Sequence, residues 1–152
     1  MAQRNNERVV AVDYDQIQDD LRTALVANIS GATHVFIEGT EQEIQNISHM
    51  PLINIRLQEA VIPTEYIGGG WHEQVYLLVD ILTFDFTSFN EASTLRSALL
   101  VSVRDYLYAN PRFSIAVLSA MVGPSISFGS PENESGHIAL ATMTLICDAY
   151  SE

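Results

Sequence analysis

WHEQVYLLVDILTFDF, residues Trp71 to Phe86, is the longest stretch of the chain rich in β-branched and aromatic residues, the composition that suits a pleated strand. Gly68, Gly69 and Gly70 stand in front of it, and behind it Ser88-Phe89-Asn90-Glu91 has the Ser-x-x-Glu spacing of a helix capping box. A strand therefore runs directly into a helix. At about 3.3 Å per residue it extends roughly 50 Å, whereas a compact domain of this length has a radius of gyration near ~15 Å and a diameter of about 40 Å at most. One end is expected to project from the globule, a shape suited to gripping a neighbour. Val75, Leu77, Val79 and Ile81 fall on one side and Tyr76, Leu78, Leu82 and Phe84 on the other, so the strand is expected to be central and covered on both faces once its partners are in place. Asp80 interrupts the second face. A buried aspartate needs a partner, here Arg56 or a backbone cap.

Immediately upstream, Pro51 opens LINIRLQEAVI (Leu52 to Ile62), with Ile53, Ile55 and Leu57 on one face and Asn54, Arg56 and Gln58 on the other, the pattern of a sheet with one packed and one wet face. Folding across Pro63–Gly70 sets 52–62 antiparallel to 71–81. The tip of this hairpin carries the candidate partner or subunit interface: Tyr66, Ile67, Gly68, Gly69, Gly70 and Trp71. Trp71 either folds back onto the core or anchors a partner, as Trp and Tyr do at interface hot spots. The triple glycine is no phosphate loop, since neither a Gly-Lys-Ser/Thr ending nor a helix follows it.

The flanking segments complete an α+β pattern. Residues 1–12 form an N-terminal arm, flexible or a short edge strand, and 13–150 a single domain. Tyr14, Ile17, Leu21, Leu25 and Ile29 keep helical spacing behind Asp13 or Asp15 as cap, and Gly31 suits a left-handed stop. His34–Ile37 reads as a short strand, and Thr40 and Glu43 mark a helical turn near 41–46. The helix from Phe89 to about Ala109 shows the stripe Ala92, Leu95, Leu99, Val103, Tyr106 and Leu107, with Arg96, Arg104 and Asp105 on a solvated face, and Asn110-Pro111 ends it. Residues 112–120 fit strand, short helix or loop. Met121–Phe128 reads as a strand broken by Gly123-Pro124, hence an edge or a bulge. GSPENESG (129–136) is a polar turn into a last strand from His137 to Ala149, whose Ala139, Ala141, Met143, Leu145 and Cys147 side admits a closely packed helix. The expected fold is α+β: a mostly antiparallel sheet with a long protruding β-hairpin and two main helices packed on one face.

Composition narrows the function. The net charge is −12, all seven basic residues are arginines, and none lies beyond Arg112, where Glu132, Glu134, Asp148 and Glu152 follow. A protein that grips nucleic acid through its phosphates is disfavoured. No apolar run approaches the ~20 residues of a membrane span, and the first residues lack a secretory signal, as in a protein made in the cytoplasm. Cys147, the single cysteine, reads as a small buried hydrophobe. His34, His49, His72 and His137 stand at no metal-ligand spacing. The serines of GPSISFG (123–129) miss the nucleophile-elbow pattern, and Glu132 and Glu134 sit in a solvated turn. No catalytic, metal or cofactor residue is expected, and a binding or structural role is favoured over an enzyme. A small hydrolase or ligand-binding domain remains the rival, and it would require a deep pocket with converging polar groups.

The order of elements, namely the amphipathic helix Tyr14 to Ile29, the strand at Val35, the Met50-Pro51-Leu52-Ile53-Asn54-Ile55 opening of the hairpin, the long strand to Phe86, the helix from Phe89 and the closing acidic-turn hairpin, resembles the tail terminator proteins of long-tailed bacteriophages over about residues 13–150. The resemblance implies a virion protein of the tail or neck. It would form a homo-hexameric ring on the last ring of the tail tube protein, end tube polymerisation and offer a surface to a head-completion or connector protein. Another neck connector protein is the nearest alternative. DNA would pass through the lumen without specific binding, and six copies at −12 each would carry −72 formal charges. No membrane contact is implied.

Overall fold

The computed structural model describes residues 12–61 and 71–151. Helix α1 (Tyr14–Asn28) starts where the Asp13 carboxylate accepts the Gln16 N–H at 3.0 Å, so Asp13 is the cap that satisfies the orphan donors of the first turn. Strand β1 (His34–Ile37) follows, then the one-turn helix α2 (Glu41–Ile44), in which Thr40 and Glu43 form both bonds of a capping box, and a 3₁₀ turn at Ile47–His49. Strands β2 (Leu52–Val61) and β3 (Trp71–Asp85) form the antiparallel hairpin, paired from Leu52 opposite Leu82 to Val61 opposite Gln74. Asp85 accepts the Thr87 and Ser88 N–H groups and the Thr87 hydroxyl, which hold its carboxyl below the usual range. That turn hands the chain to helix α3 (Phe89–Ala109), capped by Ser88. Strands β4 (Val117–Gly129) and β5 (His137–Ser151) close the fold.

The sheet order is β1-β2-β3-β5-β4. Among the described strands only β1 and β2 run parallel, and β3 lies in the middle, paired with β5 along its whole length from Trp71 opposite Ser151 to Asp85 opposite His137. Helix α1 lies over β1 and β2, and α3 over β3, β5 and β4, on one face. That face takes the odd-numbered side chains of the two long strands: Val75, Leu77, Val79 and Ile81 from β3, and Ala139 through Ala149 from β5, all fully buried. The alanines of β5 let α3 approach the sheet closely. Each branched residue there contributes roughly 1.5–3 kcal/mol by leaving water, so a handful matches the whole net stability of about 5–15 kcal/mol expected of a domain.

Several local expectations need correction. Helix α1 ends on Ile29, which caps it in an extended conformation with its N–H bonded to Leu25 O. Gly31 takes no left-handed turn and instead lies 3.4 Å, measured from an added Cβ, from Leu99. On α3, Leu95 is exposed whereas Arg96 is buried. The Arg96 guanidinium donates to the carbonyls of Leu140 and Gly129 and to the Ser93 hydroxyl, and lies 4.8 Å from the Phe128 ring centroid. A guanidinium that ties strand ends together can lie under a helix where Leu was expected, because its Nη1 finds two carbonyls and its Nη2 a hydroxyl there, although Nε stays buried without a hydrogen bond among the described residues. The expected wet face of β2 is dry in its first half: Leu52 and Asn54 are buried, since α2 and the 3₁₀ turn fold over them in a second small core with Leu82 and Ile138. The undecided segment 112–120 is loop up to Ala116 and then strand. The break at Gly123-Pro124 is present as a register shift between Val122 and Ile126 on an edge strand.

Candidate functional site

The helix-free face of the sheet and its two rims hold the exposed chemistry of the described residues. On that face Tyr76, Leu78 and Phe84 of β3 pair with Ile146, Thr144 and Ile138 of β5, and Met121 of β4 lies opposite Ile146. Tyr76, Leu78, Thr144 and Ile146 are half-buried, and Met121 is 60% exposed. At its Phe84–Ile138 end this face is covered by α2 and the 3₁₀ turn, and the remaining β-branched and aromatic surface, with no described layer over it, is the kind that a partner covers.

Asp80 sits at the centre of this face. It accepts Arg56 Nε at 2.6 Å and Arg56 Nη2 at 2.9 Å, the Thr142 hydroxyl at 2.7 Å and the Asn54 amide at 3.4 Å. The two strands flanking β3 supply these donors, β2 through Asn54 and Arg56 and β5 through Thr142, because residues 54, 80 and 142 are register partners. The bidentate fork holds the Arg56 proton more tightly still. The Asp80 side chain is 8% exposed and that of Arg56 41%, so the acid is locked in place while the guanidinium edge reaches solvent. Of the partners expected for Asp80, Arg56 or a backbone cap, Arg56 is the one present.

Beside this pair lies a cavity of about 330 Å³. Its walls are apolar on one side (Ile44, Leu82, Ile138, Leu140) and polar on the other (Arg56, Asp80, Thr142, Asn133, with Glu132 at the rim). Four donors already occupy the Asp80 carboxylate. Sequence patterning missed the cavity because α2 and the 130–136 loop, distant in the chain, supply its mouth.

The hairpin contributes the second feature. Strand β1 stops opposite Ile55. Glu38 then turns away with φ 49°, and its carboxylate accepts the Leu57 N–H at 2.6 Å and the Gln18 amide at 3.2 Å. A bulge between Leu57 and Glu59 follows, and Leu57–Val61 is exposed, leaving the outer edge of β2 from Gln58 onward without a strand among the described residues. Edges of this kind are templates for pairing with another chain. Near the start of β3, at the turn end of the hairpin, the Tyr14 hydroxyl donates to the buried Glu73 carboxylate. That bond, with burial and the charge of Glu73, pushes the phenol up to about 12. The predicted tip residues Tyr66, Ile67, Gly68, Gly69 and Gly70 lie outside the described residues, and Trp71 heads β3 with its backbone paired to Ser151.

Of the titratable groups, His34 and His49 are brought together, with ring centroids 4.6 Å apart, but each ring contacts a backbone carbonyl. Among the described residues no cluster of three or more His, Cys, Asp or Glu is arranged to hold a metal. Burial pushes the Cys147 thiol up to about 12. Among them, too, no helix is long and apolar enough to cross a membrane.

Comparison with known proteins finds no matching family model and no matching curated protein. Among solved structures the fold is similar to that of a chain in the virion of a native gene transfer agent particle, with a TM-score of 0.60 and 13% sequence identity, over 92% of this chain and 98% of that one.

Proposed function

We propose that this chain is a non-enzymatic structural protein of a phage-like virion and acts as a tail terminator. A ring of copies, six by the family resemblance, seats on the end of the tail tube, stops its growth and presents a surface for a head-completion or connector protein. The chain is made in the host cytoplasm and resides in the tail or neck of the virion. The observation that carries this reading is the fold held in common, over nearly the full length of both chains, with a component of a gene transfer agent virion. The unpaired β2 edge, the open β4 edge and the uncovered apolar sheet face support it, because assembly is one of the ways proteins protect such edges. The acidic balance of −12 suits a lumen through which DNA slides without being held.

The test is a tube-capping assay. Tail tube protein polymerised with this chain should give tubes bearing one extra ring at one end, seen by electron microscopy, and those tubes should stop growing. Tubes that grow equally long and bare in its presence refute the terminator reading. Binding instead to a connector ring on the head side assigns it to the neck. Deleting Thr64–Gly70 should abolish capping while leaving the urea transition intact, and unchanged capping by that variant removes the hairpin tip from the interface.

A further inference from the structure

The loop between α3 and β4 presents a knob. Ile115 is 99% exposed, yet the segment that carries it is held firmly. The buried Ser114 hydroxyl donates to Asp20 of α1 at 2.6 Å and accepts the Ala116 N–H at 3.1 Å, and Phe113 packs on the main core. Arg112, also exposed, stands beside it, and Leu118 is 50% exposed. A lone exposed isoleucine is ordinary, but one held on a fixed loop next to an unpaired cation is preorganised for contact. Among the described residues Arg112 has no acidic partner, and exposed Glu132 at the rim of the 330 Å³ cavity has no basic one.

We propose that the Arg112–Ile115 knob of one copy seats in the Ile44–Leu82–Ile138–Leu140 cavity of the next, with Arg112 meeting Glu132. This rests on the ring reading above. The volume, about eleven waters at ~30 Å³ each, suits one or two side chains. Knob and cavity are complementary in both respects: an aliphatic tip for aliphatic walls, and a cation for the rim acid. No copy can fill its own cavity. The knob adjoins Val117, opposite Ala149, and emerges from the helix side, whereas the cavity adjoins Ile138 on the helix-free side. Ile138 and Ala149 lie eleven residue steps apart on β5, roughly 36 Å at 3.3 Å per residue. Two different patches at opposite ends and faces make a head-to-tail contact, the type that closes into rings.

Paired cysteines test it: Ile115→Cys with Asn133→Cys, both at the surface, in a chain whose own Cys147 is buried. Mild oxidation should give a ladder of cross-linked species ending at the ring, while either single variant gives no ladder. Independently, Ile115→Ser should weaken self-association by roughly tenfold to a hundredfold, as expected for one buried aliphatic side chain. Arg112→Glu and Glu132→Arg should each weaken it several-fold and together recover most of the loss. Oligomers that form without the ladder, and that ignore Ile115→Ser, overturn the knob while leaving the ring reading intact. A chain that stays monomeric up to millimolar concentration also overturns it, since every copy carries both halves, and leaves only a tube-templated ring, which the capping assay decides.

Discussion

Removing Arg56 should cost the fold more than neutralising Asp80, although the two share one ion pair. Arg56→Ala strips two charge-assisted bonds of 2.6 and 2.9 Å from a carboxylate whose side chain is only 8% exposed. The charge left behind keeps only the Thr142 hydroxyl and the Asn54 amide. Breaking a buried pair from one side costs about 3–5 kcal/mol, and the partial exposure of this pair places the loss at the lower end, about 3 kcal/mol. Asp80→Asn keeps an acceptor for one donor and frees an Arg56 side chain that is 41% exposed and can turn to water, so its loss is about 1–2 kcal/mol. For a domain of this size the two variants should melt roughly 6–12 °C and 2–8 °C below the parent. Urea unfolding followed by circular dichroism measures both, with a Thr142→Val background to report coupling through the shared carboxylate. The reasoning fails if Arg56→Ala is the milder change, or if both lie within about 0.5 kcal/mol of the parent, the range of ordinary surface substitutions.

Three further outcomes follow from the local geometry. Tyr14, whose phenol is pushed up to about 12 by Glu73, should ionise above the ordinary tyrosine range in an ultraviolet titration, an event absent from the Tyr14→Phe variant. Because its folded value lies above the unfolded value near ~10, its contribution to stability is complete below pH ~10 and is lost as pH rises toward 12; Tyr14→Phe should remove both effects. Gly136→Ala places a Cβ 2.7 Å from Asp85 O and from the Phe84 ring, and the crowding should cost about 1–3 kcal/mol in urea unfolding. Cys147, fully buried with its thiol pushed up to about 12, should resist a thiol reagent at neutral pH until urea unfolds the chain.

Alternation and spacing were enough to place the main elements. The period-two run from Trp71, the three-and-four spacing after Asp13 and after Ser88, the Thr40–Glu43 capping box and the Gly123-Pro124 break are local signals, and each acts through the geometry of a few consecutive residues. The hairpin pairing was legible too, from two strand-like runs on either side of a turn signal, and alternation marked Asp80 as an acid in need of a partner, with Arg56 among the candidates. Helix α3 shows where that reading ends. Leu95 and Arg96 differ by one position on a helical wheel, and which of them turns inward depends on the carbonyls of Gly129 and Leu140, more than thirty residues away. The cavity beside Asp80 has the same origin, assembled from α2, the middle of the sheet and the 130–136 loop. Ile115 sits in an ambiguous segment, and the Ser114–Asp20 bond that holds its loop on α1 joins residues 94 positions apart. The sequence by itself determined an α+β chain with a central strand, because hydrophobic period and capping chemistry are short-range. Only the tertiary structure decided which face stays uncovered and which side chains converge there, since that depends on long-range pairing and on which apolar surfaces the two helices reach to bury.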